Sequence, residues 1–143
     1  MTTRLLKLNV ALCLFLPVFS FAQITVTDLN STTISPTSLV SGFVGSGIQV
    51  VNVTQIGDNA QLGYFQGANS TGVNAGIVLS SGAANDIIGP NSLSGTTTNF
   101  NGPGDGTLAN IATGPTNDAA GLEITFIPLG GTVTFNYSFA SEE

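Results

Sequence analysis

The feature that most narrows the fold is period-two patterning in short runs, with no long segment of helical period. Leu122, Ile124 and Phe126 alternate with Glu123 and Thr125. Val133, Phe135, Tyr137 and Phe139 alternate in the same way with Thr134, Asn136 and Ser138. Successive side chains of a strand point to opposite faces, so each run gathers its apolar set on one face. Pro128-Leu129-Gly130-Gly131 between them supplies turn residues, and the unit is predicted to be a β-hairpin.

Further runs of the same kind lie upstream. Residues 24–27 form a lead-in strand, residues 48–56 a strand rich in β-branched residues, and residues 61–66 and 76–80 two more. Ile77, Val78 and Leu79 are apolar in succession, which predicts a strand covered on both faces. Ser35-Pro36 opens one helical turn, with Ser35 as N-cap and Pro36 at the first helical position. Residues 81–115 are mostly Gly, Asn, Ser, Thr and Pro, a long loop in which Leu108 to Ile111 form a single helical turn after Asp105. The fold class predicted is all-β, a jelly-roll-like β-sandwich carrying a long Gly/Asn/Thr-rich loop.

Residues 1–22 read as a secretory signal peptide: Arg4 and Lys7, an apolar run from Val10 to Phe21, and a small-x-small site at Ser20-Phe21-Ala22. The run is shorter than the roughly 20 residues that cross a bilayer, and Pro17 interrupts it. No membrane insertion is expected after cleavage. Cys13, the single cysteine, lies inside this segment behind Leu12 rather than behind the small residue of a lipoprotein site. Residues 23–34 are then a lead-in, and residues 35–143 one β domain. The second strand of the hairpin passes into Glu142-Glu143 with no turn or polar tail, which predicts an N-terminal fragment incomplete at its C-terminal end.

Both basic side chains leave with the signal, and histidine is absent from the chain. Asp28, Asp58, Asp86, Asp105, Asp118, Glu123, Glu142 and Glu143 remain, with no cationic side chain to pair with them. Nucleic acid, which is held by Lys and Arg on phosphates, is excluded as a partner class, and so are anionic membrane surfaces. Thiol chemistry and histidine general bases are excluded with them. A pair among Asp118, Glu123 and Glu142 could serve glycoside hydrolysis. Glu123, however, sits on the solvent side of its strand, and no tryptophan is present to stack a sugar. A non-enzyme is predicted.

Calcium is the cofactor the composition allows, because hard cations take carboxylate, amide and main-chain oxygens. Asn101-Gly102-Pro103-Gly104-Asp105-Gly106 and Thr116-Asn117-Asp118 are oxygen-rich, and Asp105, Asp118 and Glu142 are the candidate ligands. The spacing matches no EF-hand loop, and turn-forming Asp and Asn bonding their own backbone explain it more simply. Glu142-Glu143 reads either as an ion or ligand site or as a corner whose carboxylates accept amide protons of the long loop.

Thr116-Asn117-Asp118-Ala119-Ala120-Gly121-Leu122-Glu123-Ile124-Thr125-Phe126, followed by Tyr137-Ser138-Phe139-Ala140-Ser141-Glu142-Glu143, resembles the choice-of-anchor L domain. Gly76 to Gly82, Gly89-Pro90-Asn91 and Gly104 to Leu108 fall in the order that family shows. Gly121 stands where the family usually carries a larger apolar residue. The resemblance implies an extracellular module, found mainly in Bacteroidetes, with a surface or adhesion role. It also implies an extracellular protein or glycan ligand, and a C-terminal anchor or sorting domain beyond residue 143. The alternative function is a secreted carbohydrate-active enzyme or accessory carbohydrate-binding module, with Tyr64, Phe65 and Tyr137 as the aromatic contacts.

Overall fold

The computed structural model describes residues 24–69, 71–91 and 93–141, so the signal peptide reading and Glu142 and Glu143 lie outside the described residues. Among the described residues five strands make two antiparallel sheets. Strand β1 (Thr25–Asp28), β3 (Leu62–Gln66) and β4 (Ala75–Leu79) form one sheet in the order β1-β3-β4. Strand β2 (Ile48–Ile56) and β5 (Gly121–Pro128) form the other. Few residues are helical, and the all-β class stands.

Helix α1 (Pro36–Phe43) begins where the Ser-Pro signal puts it. The Ser35 hydroxyl accepts from the Ser38 amide at 3.1 Å, and Pro36 needs no partner in the first turn. It runs two turns rather than one because Leu39 and Val40, both nearly fully buried, reach the core. That core is compact: Leu29, Leu39 and Leu62 are buried together, and Tyr64, Ile77 and Leu122 pack against them. Leu122 comes from the two-stranded sheet and Tyr64 from the three-stranded one, so this cluster joins the two.

Along β5 the alternation works as the pattern predicts. Leu122, Ile124 and Phe126 are half-buried while Glu123 and Thr125 face solvent. Strand β2 carries a bulge between Val50 and Asn52, which leaves Val51 55% exposed. One extra residue resets the period, so Val50 and Val53 lie on one face against Phe126 and Ile124. Gly121 pairs with Ile56, whose side chain would meet an added Cβ at an ordinary 3.6 Å.

Two expectations are corrected. The hairpin does not form: β5 pairs with β2, and residues 132–141 carry no strand, with Phe135, Tyr137 and Phe139 exposed. Alternation specifies a face, but a strand also needs an edge that supplies hydrogen bonds, and local pattern does not name it. The triple Ile77-Val78-Leu79 is not covered on both faces either. Val78 is buried, but Leu79, the last residue of an outer strand, is 47% exposed. Within residues 81–115 the chain makes a 3₁₀ turn at Ala84–Ile87 and the one-turn helix α2 (Gly106–Ala109), capped by Asp105.

Strands β1 and β3 approach closely at Gly63. A Cβ there would stand 2.8 Å from Asp28 Cα, so this position must be glycine for β1 to remain paired.

Candidate functional site

The polar side of the molecule is organised by a buried amide. Gln61 ends a 3₁₀ turn (Asn59–Gln61) that Asp58 caps through its carboxylate, which accepts from Ala60 N at 2.9 Å. The Gln61 side chain is 1% exposed. Its Oε1 accepts from the Asp58 amide at 2.7 Å. Its Nε2 donates to the carbonyls of Asp118 at 2.9 Å, Ser81 at 3.2 Å and Ser80 at 3.3 Å. One side chain therefore ties the end of β4 and the entry to β5 to the turn before β3.

Asp118 extends the network outward. It is buried and holds a left-handed backbone, φ 50°, which aspartate tolerates better than most side chains. Its Oδ1 accepts from the Gly102 amide at 2.5 Å and its Oδ2 from the Phe100 amide at 3.1 Å. The main chain closes the same junction: Asp118 N donates to Gly102 O at 3.2 Å and Ala119 N to Pro103 O at 3.0 Å. Pro103 and Asn117 form an isolated antiparallel bridge. The two oxygen-rich segments picked out in the sequence are thus brought side by side.

Around this junction Asn99, Asn101, Gly102 and Asn117 line a polar hollow of about 330 Å³. A second hollow of about 210 Å³ lies by Gly104, Asp105, Ala109 and Thr116. Asp105 Oδ1 is committed to capping α2, accepting from Thr107 N and Leu108 N at 2.8 Å each. Asn101 also takes a left-handed backbone, φ 53°. Among the described residues no group of three or more His, Cys, Asp and Glu side chains is arranged to hold a metal ion.

A second buried carboxylate follows the same rule. Asp28, 6% exposed, accepts from Ser31 N at 2.7 Å and from the Asn85 side-chain amide at 2.6 Å, joining the end of β1 to the 3₁₀ turn at Ala84–Ile87. Neutral donors replace the missing cations at both sites, as charge-assisted hydrogen bonds allow. Sequence reasoning did not find Gln61 or Asp28 as members of this network. The one signal for Gln61 is Asp58-x-x-Gln61, the spacing of a capping box.

The aromatic candidates are not gathered in one place. Tyr64 packs on the Leu29–Leu39–Leu62 core, and Phe65, its neighbour on the strand, faces the other way over Gly76. Tyr137 is 88% exposed on the segment after β5.

No described helix is long and apolar enough to cross a membrane. No curated protein and no solved structure matches the chain. The model of the choice-of-anchor L domain matches residues 25–143, from the first residue of β1 through the whole of the Gln61–Asp118 network. That span takes in both sheets and every element described above, and the family is not known for catalysis. The chain therefore belongs to the choice-of-anchor L domain family, an extracellular or cell-surface module.

Proposed function

We propose that this domain is a non-catalytic surface module that makes adhesive contact with an extracellular protein or glycan through residues 132–141. The observation that carries the reading is the side-chain row on that segment. Phe135, Tyr137 and Phe139 are 67%, 88% and 87% exposed, on a stretch whose main chain is in no sheet. Residues 124–141 hold no charge, so a partner meets apolar and hydrogen-bonding groups without having to desolvate a carboxylate. In this reading the two sheets are facing layers of a jelly-roll-like sandwich, and the segment lies beside them.

The glycan alternative rests on the same row, since Tyr137 is the exposed member of the three aromatic candidates. Replacing Phe135, Tyr137 and Phe139 together by serine in the full-length protein is expected to weaken binding to its glycan-array or surface-protein ligand about tenfold or more. The thermal midpoint should stay unchanged, because these side chains support no core. Undiminished binding by the triple variant would remove the proposal, and sugar release from a polysaccharide would overturn the non-catalytic part.

We propose further that calcium is held at Asp105, Asp118 and Glu142. Asp118 accepts from the Gly102 and Phe100 amides and Asp105 from the Thr107 and Leu108 amides, on two segments that run side by side. Binding is expected to raise the melting temperature of the full-length protein in millimolar calcium relative to chelator. Identical melting curves would eliminate the cation.

A further inference from the structure

Asn101-Gly102 is the single Asn-Gly pair in the chain. The structure places a carboxylate oxygen on the nitrogen of that glycine: Asp118 Oδ1 accepts from Gly102 N–H at 2.5 Å. Asn101 is exposed, and among the described residues its side-chain amide takes part in no hydrogen bond. The Gly102 nitrogen is hindered by no Cβ on its own residue. The polar hollow against Asn99, Asn101, Gly102 and Asn117 gives water access to the pair.

We propose that Asn101 is a self-modification site, converted to aspartate and isoaspartate by a succinimide step for which Asp118 is the base. The Gly102 amide proton passes to Asp118 Oδ1 as the Gly102 nitrogen attacks Asn101 Cγ. A Cγ–N bond forms and closes the five-membered ring. The Cγ–Nδ2 bond then breaks, and Nδ2 leaves as ammonia with the proton that Asp118 had taken, so the carboxylate is regenerated. Water adds to either carbonyl of the imide. Opening one C–N bond yields aspartate and opening the other yields isoaspartate, each with loss of a proton from the new carboxyl group. No oxidant, metal or other reactant is needed.

The glycine nitrogen of an amide is a poor nucleophile until its proton is removed, and a positioned general base supplies that removal. Here the base already touches the proton to be taken. Reaction has a structural consequence. The aspartate product sets a new negative charge next to Asp118, and the isoaspartate product reroutes the main chain through Cβ. Either change opposes the bracket between residues 100–103 and 117–119, so the loop is released as the protein ages.

The test is peptide mapping by mass spectrometry of full-length protein incubated at neutral pH, with isoaspartate and released ammonia measured over time. In the folded protein Asn101 is expected to convert on the order of a hundredfold faster than in the same chain unfolded in urea. Equal or slower conversion in the folded state would show that the Asp118 contact locks the glycine and would overturn the proposal. Asp118→Asn is expected to bring the Asn101 rate down to that of the unfolded chain. A rate in that variant equal to or above wild type would overturn the proposal as well. Asn30 and Asn69, each followed by serine, serve as internal references in the same digests.

Discussion

Gln61→Leu is expected to lower the unfolding free energy by about 3–5 kcal/mol, among the largest single-residue effects in this domain. The leucine fills much of the space but answers none of the hydrogen bonds. The carbonyls of Ser80, Ser81 and Asp118 lose their shared donor, and the Asp58 amide loses its acceptor. Each buried group left unsatisfied costs about 1–3 kcal/mol, and part of that is recovered where water can enter from the Ser81 side. Gln61→Glu sharpens the point. It keeps the shape and replaces the amide donor with an oxygen aimed at three carbonyls, so it should be at least as damaging. Urea denaturation followed by fluorescence or circular dichroism measures both. A loss below about 1 kcal/mol for either variant would mean that the amide is a passenger and that the loops hold themselves.

Leu62→Ala is expected to cost about 3–4 kcal/mol in the same measurement. Leu62 is 0% exposed and lies on the central strand of the three-stranded sheet, where β1 and β4 both depend on β3. Truncation removes apolar surface and leaves a cavity bounded by Leu29, in the turn after β1, and Leu39, on α1. Neither can follow the missing atoms without moving a strand or a helix. Ile111→Ala makes the comparison decisive, because that side chain is 80% exposed and its loss should stay within about 0.5 kcal/mol. Similar costs at the two positions would contradict the placement of the core.

Where the chain's own alternation, caps and turns decide the outcome, the sequence was a sound guide. Strand β2 occupies the residues its β-branched run predicts, β3 starts one residue later than predicted, β4 lies one residue earlier at both ends, and Ser35 caps α1 as its neighbour Pro36 implies. Asp105 heads a helical turn for the same local reason. The all-β class followed from these short runs together. What was not legible is pairing. Residues 121–128 and 133–139 carry equally clean alternation, yet β5 joins β2, some 70 residues upstream, and the later run joins nothing among the described residues. The site divides in the same way. Asp118 and the segment 101–106 were singled out by composition and do meet, but the group that binds them to the core is Gln61, a residue type with no charge to draw attention. Burial of a neutral amide is a product of tertiary packing, and no short pattern announces it. Tyr64 shows the converse. An aromatic side chain reads the same in sequence whether it awaits a ligand or closes a core, and only its neighbours Leu29, Leu39 and Leu62 decide between them.

Among the described residues the carboxylates at Asp28 and Asp118 are held by amides, and from Leu8 onward the chain has no cationic side chain. Dissolved salt usually acts on a protein in two opposed ways, weakening attractions between unlike charges and softening repulsions between like ones. In this domain there is no side-chain ion pair to weaken. The repulsion among acidic groups is the remaining long-range charge effect, so ionic strength pushes in a single direction, toward the folded state. A module built in this way loses nothing to brine, and the absence of lysine and arginine turns rising salinity into a one-sided support for the fold.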